Sequence, residues 1–172
     1  MFELEYSNES DKAYGLAGMA ISMASLDALD RIVEVWLDSE GPMVTFNHQY
    51  YFSQSPTVSA KDVWNNMVNN LQLTTSLVLG NVMARSLVQQ RREIDRELVE
   101  RLRAIVRDEA RDYCSLDSEE SDVIFDKLFN HSLRLFHNPR LHPAVNELAA
   151  VITRRRRLSV FELAEELELL RI

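Results

Sequence analysis

Large apolar residues and small residues recur at helical spacing through the first part of the chain. Both stripes keep the three-to-four-residue period of an amphipathic helix. The large stripe is Leu16, Met19, Met23, Leu26, Val33 and Leu37, and the small stripe is Ala13, Ala17, Ala20, Ala24 and Ala28. The pattern predicts a first helix from about Asp11 to Asp38, ended by Gly41-Pro42. Because small side chains let another helix approach closely, we expect this helix to contact neighbours on two faces.

Residues 43–53 have the strand-like pattern of the chain, because aromatic and β-branched side chains are concentrated there. Asn47-His48 would turn a short hairpin between Met43–Phe46 and Gln49–Phe52. We predict this β-hairpin or an ordered loop packed over the end of the helices. The alternative is a ligand pocket or partner surface formed by its aromatic residues, Phe46, Tyr50, Tyr51 and Phe52.

The middle of the chain lacks residues that break regular structure. Between Pro56 and Pro139 there is no proline and a single glycine, Gly80. Proline and glycine are the strongest local breakers, so the stretch predicts long helices. The pattern leaves open whether residues 60–113 form one bent helix or two. The segment 71–88 is apolar on more than one side, as expected of a central helix or of an oligomer interface.

A serine or aspartate followed three residues later by an acid marks three helix starts. These pairs are Ser59 with Asp62, Asp117 with Glu120, and Ser159 with Glu162. Asn138-Pro139 predicts a further start, because proline is favoured in the first turn of a helix. We therefore predict an all-α bundle of five or six helices, with a short β-hairpin or ordered loop near residues 43–53, in one helical domain spanning 1–172.

The apolar stripes also identify candidate core residues. Hydrophobic residues make up 46% of the chain and charged residues 27%, values typical of a globular protein rather than a disordered one. We expect seven side chains on these apolar stripes to be buried. These core candidates are Trp64, Leu71, Val78, Leu98, Ile105, Phe129 and Leu148.

Charge is unevenly distributed along the chain. The formal net charge is −8, and residues 1–58 carry nine acidic and two basic residues. Basic residues are most concentrated in the run Arg154, Arg155, Arg156 and Arg157. At the end of a predicted helix, four cations interact favourably with the helix dipole. We predict that they also bind an anion or an acidic partner, or pair with the acidic first third of the chain.

The same run suggests a nucleic-acid-binding alternative. Predicted helices at 139–153 and 160–170 flank the arginines and would form a helix-turn-helix. The outward side of the second helix carries acids that repel phosphates, namely Glu162, Glu165, Glu166 and Glu168. A nucleic-acid-binding regulator therefore ranks behind a protein-binding function, and we do not expect nucleic acid as the main partner.

Two pairs of acidic residues suggest a catalytic alternative. Glu97 and Glu100 are followed by Glu119 and Asp122 with the same spacing within each pair. This order is similar to the paired acidic motifs of all-α nucleotide pyrophosphatases. The resemblance implies four carboxylates on facing helices that hold Mg²⁺ against a nucleoside triphosphate. Acids in a first helical turn also favour the helix dipole, which is the structural explanation.

Other chemistry is sparse in the sequence. Cys114 is the single cysteine, so no intramolecular disulfide is expected, which suits a reducing cytoplasm. The acidic start does not resemble a signal peptide, and the amide-rich run 63–84 argues against a membrane span. We expect no catalytic residue, metal or cofactor. The sequence predicts a non-enzymatic cytoplasmic interaction or assembly protein whose partner is a protein or a second copy, forming a homo-oligomer. The alternatives are the magnesium-dependent pyrophosphatase and the nucleic-acid-binding regulator.

Overall fold

A computed structural model describes residues 4–40, 42–47, 50 and 59–170 of the chain. Its elements in these ranges are α1 Glu9–Ala24, β1 Ile32–Trp36, β2 Val44–Phe46, α2 Ala60–Met83, α3 Arg96–Cys114, α4 Ser118–Phe136, α5 His142–Arg155, β3 Arg157–Ser159 and α6 Val160–Leu169. A 3₁₀ turn, Leu29–Arg31, precedes β1, and a π-helical segment, Ala84–Gln89, extends α2. The predicted all-α bundle with a small β element is confirmed.

The central helix of the bundle is α2. Its second half contributes to two hydrophobic clusters, one on each side of the helix. The first cluster includes residues of α1, α5 and the sheet, whereas the second includes residues of α3 and α4. Ile94 and Phe129 pack against both clusters. The apolar sides of segment 71–88 are therefore covered within one chain. In the described ranges, no helix has the length and apolar character needed to cross a membrane.

The first helix is shorter than predicted. The hydrophobic spacing predicted a helix from Asp11 to Asp38, but α1 ends at Ala24, and Asp27 takes a left-handed backbone angle, φ 52°. The segment after it forms β1, in which Ile32 and Val35 are buried. β-Branched residues favour strands, and pairing on both edges of β1 outweighed the continued helical spacing.

The three strands form one antiparallel sheet in the order β2-β1-β3. The first strand of the predicted hairpin, Met43–Phe46, overlaps β2, but β2 pairs with β1 rather than with a following strand. Gln49 and Phe52, the ends of the predicted second strand, lie outside the described residues. Tyr50 stacks on Phe46 with ring centroids 4.1 Å apart, and its hydroxyl forms a hydrogen bond with that of Thr74 in α2. The segment is thus anchored onto the central helix.

The predicted helix starts are mostly correct. All three predicted capping boxes form, before α2, α4 and α6. The start at Asn138-Pro139 was wrong, because those residues form a turn in which the Leu141 N–H donates to the Asn138 carbonyl, and α5 begins at His142. Residues 60–113 form two helices. The break follows the π-helical segment, where Arg91 has φ 51°, and Asp95 caps α3.

The predicted core residues fall into three groups. Leu71, Val78 and Leu148 are buried, and a second group is half-buried: Leu98, Ile105 and Phe129. Trp64 was predicted to be buried, but it is 45% exposed. Periodicity identified the inward side of each helix, whereas the depth of burial depended on which neighbour covers that side.

Backbone contact between α1 and α2 explains the small residues of the first helix. A Cβ atom on Gly18 would lie 2.1 Å from the Gly80 carbonyl oxygen and 2.6 Å from the Ala84 Cβ. A Cβ on Gly80 would meet the Gly18 carbonyl oxygen at 2.5 Å. Neither position has room for a side chain, so glycine is required at the crossing.

We predict that Gly18→Ala lowers the free energy of unfolding by roughly 1–3 kcal/mol, because the added methyl group forces the two helices apart. Alanine's better helix propensity, about 1 kcal/mol, offsets only part of this loss. Gly15→Ala is the comparison, because its Cβ would meet the buried side chain of Asn81, 2.4 Å from Nδ2, rather than the backbone of α2. Urea denaturation measures both. A Gly18→Ala protein as stable as the wild type would contradict the close crossing.

Candidate functional site

The N-terminal half of α2 exposes large apolar side chains beside the C-terminal end of α3. Val63, Trp64 and Met67 are 47%, 45% and 37% exposed, and Tyr113 of α3 is 68% exposed. We call these four residues the α2–α3 patch. Grouped apolar side chains on a protein surface are typical of interaction sites, whereas single exposed ones are ordinary.

The indole of Trp64 is held in place by the end of α3. Its Nε1–H donates a hydrogen bond to the Cys114 carbonyl oxygen at 2.8 Å. The last carbonyls of a helix have no partner within the helix, and Trp64 satisfies one of them. Ser115 then ends α3 with a left-handed φ of 55°. This bond explains why Trp64 lies at the surface, since its polar end reaches a helix terminus while much of the ring remains in water.

A groove runs beside the patch, with a volume of about 250 Å³. Its wall on the α2 side is Met67, Asn70, Leu71 and Thr74, and its wall on the α3 side is Glu109, Tyr113 and Cys114. Burial raises the pKa of the Cys114 thiol, so the thiol is protonated near neutral pH and is a poor nucleophile. Because Met67, Leu71 and Tyr113 also line the groove, it is suited to holding an apolar side chain.

The surface around the groove carries little charge on its α2 side. No charged residue occurs from Val63 to Ala84, although the whole chain has a net charge of −8. The polar residues of this stretch are mostly amides, and besides Thr74, Thr75 and Ser76 they are Asn65, Asn66, Asn69, Asn70, Gln72 and the buried Asn81. An uncharged surface of this kind binds by apolar contact and neutral hydrogen bonds.

The arginine run contacts the acidic first third of the same chain. Arg156 follows α5 with φ 67°, and its Nη1 donates to Glu9 Oε1 at 2.6 Å. Its Nε donates to Asp38 Oδ2 at 2.8 Å. A single guanidinium therefore links the start of α1, the end of β1 and the end of α5.

Two further arginines of the run are also paired. Arg157 donates to the Glu34 carboxylate at 2.7 Å and lies 5.2 Å from the centre of the Trp36 ring. Arg155 pairs with Glu162 and Glu166 of α6. Arg154 alone has no ion-pair partner among the described residues.

The segment between the two C-terminal helices is a strand rather than a free turn. Leu158 of β3 lies opposite Val35 of β1 in the sheet. Of the four acids predicted on the outward side of α6, Glu165 and Glu168 are exposed, whereas Glu162 and Glu166 are half-buried and pair with Arg155. The outer side of α6 therefore presents negative charge.

The ion pairs of Arg156 shift the titration of both its partners. Hydrogen bonds from Arg156 lower the pKa of Glu9 and the pKa of Asp38, and these carboxylates in turn raise the pKa of Arg156. A carboxylate with a lowered pKa in the folded chain contributes stability above its ordinary pKa. That contribution is lost as the pH falls through the lowered value.

The four carboxylates of the pyrophosphatase-like pattern are not brought together. Arg107 Nε donates to Asp122 Oδ1 and Arg103 Nη2 donates to Asp126 Oδ1, both at 2.7 Å, so α3 and α4 run antiparallel with Arg107 opposite Asp122. Glu100 is therefore about 10 Å along the helices from Asp122, and Glu97 is roughly 20 Å from Glu119. In the described part of the chain, no three metal-ligating side chains are grouped closely enough to hold an ion.

Sequence reasoning missed a buried ion pair between α1 and the π-helical segment. Asp11 is 1% exposed and accepts hydrogen bonds from Arg85 Nε at 2.7 Å and Nη2 at 2.6 Å. Burial acts to raise the pKa of Asp11, but the bonds from Arg85 and Ser7 outweigh it and lower the pKa. The sequence feature that could have revealed this ion pair is that Arg85 is the single charged residue from 63 to 90. A cation in so apolar a stretch requires a buried partner.

Known proteins give no direct guide to the function of this chain. No family model matches the sequence, and no curated protein is significantly similar to it. The inference of function therefore rests on the α2–α3 patch, the groove and the arrangement of charges.

We predict that Arg156→Gln is less stable than the wild type at pH 7, because Glu9 and Asp38 lose their shared cation. The difference should shrink as both carboxyls protonate below their ordinary pKa values of 4.5 and 3.8. Glutamine keeps the Cβ, so the backbone conformation is equally strained in both proteins. Thermal unfolding from pH 3 to pH 8 measures the difference. Arg154→Gln is the control and should match the wild type; a difference independent of pH would contradict the role of these carboxylates.

We also predict that the purified protein does not release pyrophosphate from nucleoside triphosphates with Mg²⁺ or Mn²⁺, because Glu97, Glu100, Glu119 and Asp122 do not converge. A coupled pyrophosphate assay tests this expectation, with Glu97→Gln as the comparison. Pyrophosphate release by the wild type that Glu97→Gln abolishes would establish the hydrolase instead.

Proposed function

We propose that this chain is a non-enzymatic interaction or assembly protein of the cytoplasm, and that its contact surface is the α2–α3 patch with the adjoining groove. The observation that carries the proposal is the grouping of Val63, Trp64, Met67 and Tyr113 at the surface. Aromatic residues and methionine are enriched in protein–protein interfaces, and tryptophan and tyrosine are frequent among the residues that dominate binding energy.

The shape and order of the patch support this function. Trp64 is fixed by its bond to the Cys114 carbonyl, so little side-chain entropy is lost when a partner covers the ring. Beside it, the groove offers a recess of about 250 Å³ that a partner's apolar side chain would fill. A rigid aromatic anchor next to a recess is the arrangement of a binding surface.

The distribution of charge favours the patch over the arginine run as the contact surface. Arg155, Arg156 and Arg157 are already paired with acids of the same chain. An acidic partner would have to displace these intramolecular pairs, which reduces any gain from binding. Apolar contact at the patch displaces only water. The single cysteine agrees with a reducing compartment, which supports the cytoplasmic assignment.

Site-specific photo-crosslinking in the producing cells tests this function. We expect a photoreactive amino acid at position 67 to form a covalent adduct with a defined protein, because a bound partner covers that side chain. The same group at exposed Ala150 of α5 is the matched control and should give no such adduct. Mass spectrometry identifies the adducts, and Trp64→Ala should reduce the yield. Equal adducts at both positions, or none at 67, would contradict the proposal.

A further inference from the structure

We infer that the partner covering the α2–α3 patch is a second copy of this chain, bound in an isologous contact in which the two α2 helices pack antiparallel. This inference rests on the proposed function and names its partner. In such a contact a two-fold axis places the same surface on both sides, so the surface must be complementary to itself.

The patch and its groove have the spacing that self-complementarity requires. Trp64, Met67, Leu71 and Thr74 recur at intervals of three and four residues and share one side of α2. Trp64 is 45% exposed at the start of this stripe, whereas Asn70, Leu71 and Thr74 line the groove further along it. When two α2 helices cross antiparallel beside Met67, each Trp64 meets the groove of the other copy. The same contact therefore forms twice, because Trp64 of each copy lies against the groove of the other.

The charge pattern selects the same partner. A two-fold contact brings residues close to the axis near their own copies, so a charged residue beside Met67 would face a like charge. The α2 side of the patch is free of charge from Val63 to Ala84 in a chain whose net charge is −8. The amides of Asn66 and Asn70 each carry a donor and an acceptor, so they are able to pair with the same group in a second copy. The α2 side of the patch therefore avoids repulsion between two acidic molecules, and Glu109 lies on the opposite, α3 wall of the groove.

The surface area of the patch limits the affinity that we expect between the two copies. A large aromatic side chain buries about 150–250 Å², and stable interfaces bury about 800 Å² on each partner. Four partly exposed side chains fall short of that area. We therefore expect a dimer that dissociates at micromolar concentrations, with monomer and dimer in measurable equilibrium.

Sedimentation equilibrium from about 1 to 500 µM tests the inference. We expect the mean mass of the wild type to rise from the monomer value of 19.9 kDa towards twice that value. Met67→Glu and Met67→Lys should each weaken association by roughly tenfold or more, because like charges then face each other across the axis. An equimolar mixture of the two variants should associate again, since opposite charges meet. Phe161→Ala removes a 79% exposed aromatic side chain from α6 and is the matched control, with unchanged association.

A second measurement uses neither Met67→Glu nor Met67→Lys, so it tests the inference even if those variants do not fold. Trp36 and Trp64 are the two tryptophans of the chain, so Trp36→Phe leaves Trp64 as the fluorescent reporter. Iodide quenching of Trp64 should fall as protein concentration rises, because the second copy covers the ring. A wild type that stays at 19.9 kDa with constant quenching would overturn the inference. If position 67 then crosslinks to a different protein, the interaction function stands and only the second copy is excluded.

Discussion

Backbone contact between α1 and α2 at Gly18 and Gly80 constrains the rest of the bundle. The two helices run antiparallel, since Asp11 lies opposite Arg85 and Ser22 lies opposite Gly80. Helix α1 has 16 residues and α2 has 24, so the first turns of α2 extend past the end of α1. The α3–α4 pair covers the other side of α2. The exposed side chains Val63, Trp64 and Met67 lie in this extension of α2, where the indole of Trp64 bonds to the last residue of α3.

The charge arrangement follows from the same packing. Because α1, β1 and the end of α5 converge, the acids of the first third come within reach of Arg156 and Arg157. The two regions of opposite charge neutralise each other locally and leave the excess negative charge elsewhere on the surface. The ion pairs are exposed, so their value lies in fixing the geometry at the junction of three elements more than in a large contribution to stability.

The sequence predicted local structure better than it predicted long-range pairing. Capping residues such as Ser59 and Asp62 act within one helical turn, so their pattern alone identified the helix start. The length of α1 was wrong because the fate of residues 32–36 depends on β3, which lies far along the chain. The arginines were recognised as candidates for pairing, but their particular partners depend on tertiary packing. Trp64 was assigned to the core because periodicity does not reveal that its indole bonds to a helix terminus. The α2–α3 patch was therefore not predicted from the sequence.

The position of β3 has a consequence for how the chain folds as it is synthesised. β1 and β2 are close in sequence and are able to pair early, but Arg157 and its partner Glu34 are 123 residues apart. Until β3 leaves the ribosome, β1 presents an open edge with unpaired backbone groups beside the buried positions Ile32 and Val35. Open edges of this kind pair readily with other chains. Arg157–Ser159, synthesised long after β1, therefore protect the nascent protein by pairing with the open edge of that strand.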